Sequence, residues 1–190
     1  AQIETKYGDS VRLDWRIAQL FNFGPLPYGR EELEWYYART AQMTGVQLNP
    51  AWADSPEATT MYANQAAEAA RALGVQGSAV RRGLSHAAVV DGKPLGRRDV
   101  AIAEASRLST LPAAAIDRAM EDASTKERIL QSTHEYRDLA LPQLPSFVFR
   151  NTSGDLAVLS GLYTFESLDA VIGEMLHASR VTQAFGAQPV

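Results

Sequence analysis

The chain alternates like a strand at both ends and repeats like helices in between. Val11, Leu13, Trp15 and Ile17 fall on one side of an extended segment, with Arg12, Asp14 and Arg16 on the other. Such alternation predicts a strand over 11–17 with one buried and one wet face. Near the other end, 144–150 and 155–160 read as a pair of short strands. Asn151-Thr152-Ser153-Gly154 forms the turn between them, and an amphipathic helix follows over 165–178. Pro145 sits at the mouth of the first of these strands. Proline cannot donate to a ladder, so it belongs at a strand's start, and an X-Pro bond there is the most plausible place for a cis peptide.

The block from Arg30 to Leu141 reads as helical throughout. Leu33, Tyr36, Tyr37, Thr40 and Met43 make one stripe over 30–44, ended by Gly45. Ser55-Pro56-Glu57 is a start signal for an alanine-rich helix that ends at Leu73-Gly74, with Met61, Ala66, Ala69 and Ala70 inward. Further helices are predicted over 77–90 and 97–108, and a short one opens at Pro112. Another begins at the capping box Ser124-Thr125-Lys126-Glu127. Residues 21–29 are a loop by their Gly-Pro content. Residues 1–8 read as the last turns of a helix, with Ile3 and Tyr7 on one face and Gly8 past the end. No start signal precedes them, so the natural chain is expected to begin earlier. Strand, helical block, strand, strand, helix is an α/β order.

Composition narrows the function classes. One hundred and ninety residues suit one domain, or one domain with a large insertion, and 46% hydrophobic residues can build a core. A net charge of -4 and a pI near 5.4 argue against nucleic acid as a partner. No run is long enough to span a membrane and no leader is visible. A cytoplasmic protein is therefore expected, with periplasm or secretion left open. The sequence holds no cysteine, which excludes disulfides and thiolate chemistry within these residues. His86, His134 and His177 have no ligand spacing, and Glu121 and Asp122 read as solvated helix charges. Asn151-Thr152-Ser153 matches a glycosylation sequon but reads better as turn chemistry. Neither a phosphate loop nor a Ser-His-Asp signature is present, and no cofactor or metal is expected. Arg81, Arg82, Arg97 and Arg98 form a candidate basic patch for an anion such as glutathione, with a solvated face the plainer reading.

Three pieces in order carry a resemblance. They are the run Ala66-Ala67-Glu68-Ala69-Ala70-Arg71-Ala72-Leu73-Gly74; the segment Arg82 to Lys93 followed by Arg98 to Ala103; and Leu144-Pro145-Ser146-Phe147-Val148-Phe149 with Gly161-Leu162-Tyr163 before the last helix. Together they resemble the DsbA-like thioredoxin-fold proteins, in particular the FrnE-type and 2-hydroxychromene-2-carboxylate isomerase-like branches. The resemblance implies an α/β thioredoxin-like fold with a large all-helical insertion between strand 2 and the C-terminal ββα unit. Residues 1–28 with 142–180 would form the thioredoxin-like domain and 29–141 the helical insertion. It implies thiol–disulfide oxidoreductase activity, with no catalytic residue in this chain and the redox-active cysteines upstream of Ala1. Leu144, Pro145 and Ser146 would bind the substrate backbone. A thiol- or disulfide-bearing protein or glutathione would be the partner, and a homodimer is left open. The alternatives are a glutathione-dependent isomerase or transferase, whose serine would also lie upstream, and a non-catalytic thioredoxin-fold binding module. In such proteins a further strand lies between the second strand and the hairpin. The chain is therefore expected either to be an N-terminally incomplete record or to receive that strand from another chain.

Overall fold

A computed structural model of the chain describes residues 2–20, 27, 29–54 and 59–186. Its elements are the helices α1 (Gln2–Tyr7), α2 (Arg30–Thr44), α3 (Met61–Ala72), α4 (Ala79–Val89), α5 (Arg98–Ser109), α6 (Ala113–Glu121) and α7 (Ala123–Asp138), the strands β1 (Ser146–Arg150) and β2 (Leu156–Ser160), and α8 (Phe165–Gly186). None of the described helices is long and apolar enough to cross a membrane. Two compact units emerge: residues 1–13 with 137–190, and residues 14–136. The expected boundary at 28 and 29 falls later than this division, because 14–20 packs within the helical unit.

The helical unit is organised on α3. Ala66, Ala67, Ala69 and Ala70 are buried, and side chains this small let α5 and α6 approach its backbone closely. Leu84, Leu95, Ile116, Met120 and Ile129 fill the remaining core. Helix α4 comes near α5 through Gly83, where a Cβ would lie 2.6 Å from the Leu108 side chain. Trp52 is buried beside α2 and donates its indole N–H to the Tyr37 hydroxyl at 2.6 Å.

The strand predicted over 11–17 does not form. Val11 is extended (φ -135°, ψ 118°), but the segment has no ladder partner among the described residues. Alternation describes which side chains can share a face; a strand also requires a neighbour for its N–H and C=O groups. Only the later part of the face survives within the helical unit, since Leu13 is 48% exposed. Trp15 is half-buried, Ile17 and Gln19 are buried, and Arg16 between them is exposed. Backbone groups here pair with side chains instead. Ser132 donates to the Ile17 carbonyl at 2.5 Å, and the Gln19 N–H donates to Thr133 Oγ1 at 3.0 Å.

Ser55-Pro56-Glu57 lies outside the described residues, as does the 21–29 loop apart from Pro27 and Gly29. The capping box at Ser124 is a correction: α7 begins at Ala123, and the Asp122 carbonyl takes the N–H groups of Thr125 and Lys126. A helix-compatible Ala123 extends the helix past the predicted cap.

In the other unit β1 and β2 form an antiparallel hairpin, with Ser146 opposite Ser160 and Val148 opposite Val158. Phe147, Phe149, Ala157 and Leu159 line one face, and α8 packs on β1, burying Leu168 and Ile172. Asn151 accepts the N–H groups of Ser153 and Asp155, which fixes the turn. Helix α1 is tied to α8 by Lys6 and Tyr7, which reach Asp169 at 2.6 and 2.7 Å. These two donors, Lys6 first, hold the Asp169 carboxyl below its ordinary range.

Candidate functional site

The corner at Pro145 is built by hydrogen bonds that close the open end of the hairpin. The Gly161 N–H donates to the Pro145 carbonyl at 2.8 Å, extending the ladder one step beyond Ser146–Ser160. The Gln143 carbonyl accepts from Ser146 Oγ at 2.5 Å, and the Gln143 side-chain amide donates to the Ser160 carbonyl at 2.9 Å. The Ser146 and Ser160 hydroxyls lie 2.6 Å apart. The Leu144–Pro145 peptide is cis.

These contacts divide the three residues singled out from sequence. Ser146 spends its hydroxyl on Gln143 and Ser160, so its side chain holds the corner in shape. Leu144 and Pro145 are exposed. Neither the Leu144 N–H nor its carbonyl bonds to another described residue. Beside them, Val148, Leu156 and Val158 form an exposed apolar strip on the outer face of the hairpin. Sequence reading missed the residues that brace the corner, Gln143, Ser160 and Gly161. The available signal was Gly161: its φ of +126° is closed to residues with a Cβ, and an added Cβ would lie 2.7 Å from Gln143 Nε2.

The remaining candidates separate. Arg97 pairs with Asp99 at 2.7 Å, and Arg98 pairs with Asp117 and Glu121 at 2.7 and 2.9 Å. Their charge is matched locally, which fits the plainer reading of a solvated face for these two. Arg82 is exposed, whereas Arg81 is half-buried. His134 and His177 are exposed, and His86 lies 3.5 Å from Asp91 at the surface. No group of three or more His, Cys, Asp or Glu side chains among the described residues could hold a metal.

No family model matches the sequence, and no curated protein matches it. Among solved structures the chain is similar to one described as a "putative protein disulfide isomerase" from Nitrosomonas europaea, at 16% identity and a TM-score of 0.75. The match covers 93% of this chain and 87% of that one. The likeness is one of fold, and the chain has an α/β thioredoxin-like fold with a large helical insertion.

Proposed function

We propose that this chain is the substrate-binding scaffold of a DsbA-like thiol–disulfide oxidoreductase of the FrnE type. The observation that carries this reading is the exposed Leu144–Pro145 corner, whose Leu144 backbone donor and acceptor are left open at the end of a braced hairpin. The fold likeness to a protein described as a disulfide isomerase supports it. In thiol–disulfide exchange a thiolate attacks one sulfur of a disulfide, a mixed disulfide forms, and the other sulfur leaves as a thiolate. The 190 residues contain no sulfur able to do this, so the reactive pair comes from outside them. What these residues supply is position. An extended substrate, either a protein segment or glutathione, pairs its backbone with Leu144 and runs along Val148 and Val158. Leu144 offers bulk and dryness to the reacting sulfurs and no side-chain hydrogen bond.

The test is insulin reduction by the natural-length protein. Activity is expected, and Leu144→Asp should lower it at least about tenfold, because a carboxylate beside the site repels the attacking thiolate. A natural-length protein that lacks a dithiol, or that carries one and leaves insulin intact, overturns the reading.

A further inference from the structure

The helical unit contains a cavity of about 120 Å³ between α3, α4 and the buried Trp52. Trp52, Ala63, Leu84 and Leu95 make much of its wall apolar, and Arg81 is the one charged side chain among the described residues that line it. The Arg81 Nε is shut off from solvent and has no hydrogen-bond partner among the described residues. Burial lowers the pKa of this guanidinium, and the neighbouring cations Arg82 and Arg71 push it the same way. Partial relief comes from Trp15, whose ring centre lies 5.8 Å from the guanidinium carbon. A ring face does not satisfy an N–H, and a buried N–H without an acceptor is costly.

The other polar groups on the wall are partly engaged, and Thr59 Oγ1 accepts the Met61 N–H at 3.2 Å. Ser85 donates to the Arg81 carbonyl at 3.1 Å, and Asn64 donates to Gln19 at 2.7 Å. Thr60 Oγ1 accepts from Gln19 Nε2 at 3.1 Å, which leaves its own proton to give. Arg81 and the Thr59 and Thr60 hydroxyls are therefore donors with no counter-charge among the described residues of the wall. A water molecule would fill the Arg81 bond but leave its charge uncompensated; a carboxylate does both, with a charge-assisted bond. Size then selects the rest of the ligand. A cavity near 150 Å³ holds about six non-hydrogen atoms, and sites for drug-sized ligands begin near about 300 Å³. Glutathione is too large for this space.

We propose that this cavity binds a short aliphatic carboxylate, its head on Arg81 and Thr60 and its chain against Trp52, Ala63, Leu84 and Leu95. The site lies wholly within the helical unit, so the proposal does not rest on the redox reading.

The experiment is titration of the full 190-residue chain with sodium butyrate at constant ionic strength, read by NMR at the Trp52 indole N–H. Butanol and inorganic phosphate serve as probes of the apolar and charged halves alone. Saturable shifts with butyrate are expected, with each half-probe at least about tenfold weaker. Arg81→Met should weaken butyrate by about tenfold or more, and Ala88→Leu, which fills the cavity while keeping Arg81, should abolish binding even if Arg81→Met fails to fold. Absence of saturation, equal response to butanol, or unchanged affinity in Ala88→Leu overturns the proposal.

Discussion

Gly161→Ala tests whether the Pro145 corner is held as the hydrogen bonds indicate. Gly161 has φ +126°, a region that residues with a Cβ scarcely adopt, so the backbone term costs about 1–3 kcal/mol. The new Cβ would also lie 2.7 Å from the Gln143 side-chain nitrogen. That side chain can swing away, but it then loses its bond to the Ser160 carbonyl, for about 1 kcal/mol. The total is about 2–4 kcal/mol, concentrated where the Gly161 N–H meets Pro145. Gly154 in the hairpin turn is the control: φ is +88° but nothing lies within 4 Å, so Gly154→Ala pays a backbone cost alone, about 1–2 kcal/mol. Amide hydrogen exchange is the appropriate assay. The chain divides into two compact units, and a single global unfolding transition need not report on this corner. Phe147, Leu159 and residue 161 should lose protection in Gly161→Ala and keep it in Gly154→Ala. The Gln143→Ala, Gly161→Ala pair should cost less than the two changes added, since they share one lost bond. Equal protection in the two glycine variants would refute this account of the corner.

Other consequences concern the helical unit. Glu104 is buried between Lys93, at 2.8 Å, and Arg107; their hydrogen bonds, Arg107 first, pull its carboxyl from 4.5 down to about 2. A depressed carboxyl stabilises the folded state above its unfolded value, and that support is lost as pH falls from about 4.5 toward 2. The full linkage would be about 3 kcal/mol, reduced to about 1–2 kcal/mol because both cations remain largely exposed. Urea unfolding across this range should therefore slope less in Glu104→Gln than in the wild type; matching slopes would count against the ion pairs. Thr125 is buried, and its hydroxyl has no partner among the described residues, so Thr125→Val should be neutral or stabilise by up to about 1 kcal/mol. A loss larger than that, measured by thermal unfolding, would show that the hydroxyl is bonded.

The helices were legible because their signals are local. Gly45 gives α2 its observed C-terminal end, although of the predicted stripe only Leu33 is buried while Tyr36 and Met43 are exposed, and Pro145, Asn151 and Gly154 place the hairpin. The segment 11–17 was misread because its alternation specifies only a conformation, whereas pairing depends on a partner remote in sequence. Its continuation at Gln19 shows the difference. A buried glutamine there joins Asn64, Thr60 and Thr133, a network that no window of hydrophobic positions contains. The pairing of Arg98 was hidden for the same reason: Asp99 stands two residues from Arg97 in the sequence, but the acids that meet Arg98 are on α6.

Two glutamates of the helical unit show how far tertiary placement can reverse a local reading. Glu68 and Glu104 are both buried, and each lies within reach of two cations. At Glu104 the cations donate well-directed hydrogen bonds, and the carboxyl is driven down. At Glu68 the Arg128 Nε comes within 3.1 Å of Oε2, yet neither atom is in bonding alignment with any group, and desolvation outweighs the attraction of Arg71 and Arg128. Its carboxyl is therefore raised. The sign for stability inverts with it: Glu68 favours the folded state at pH below its unfolded value and withdraws that support as pH rises through the folded one. Proximity of opposite charge is common to both sites; desolvation leads at Glu68 and directed N–H groups lead at Glu104, which sets the opposite directions. That same criterion makes Arg81 notable, as a cation with an N–H in the dry interior and no acceptor among the described residues to receive it.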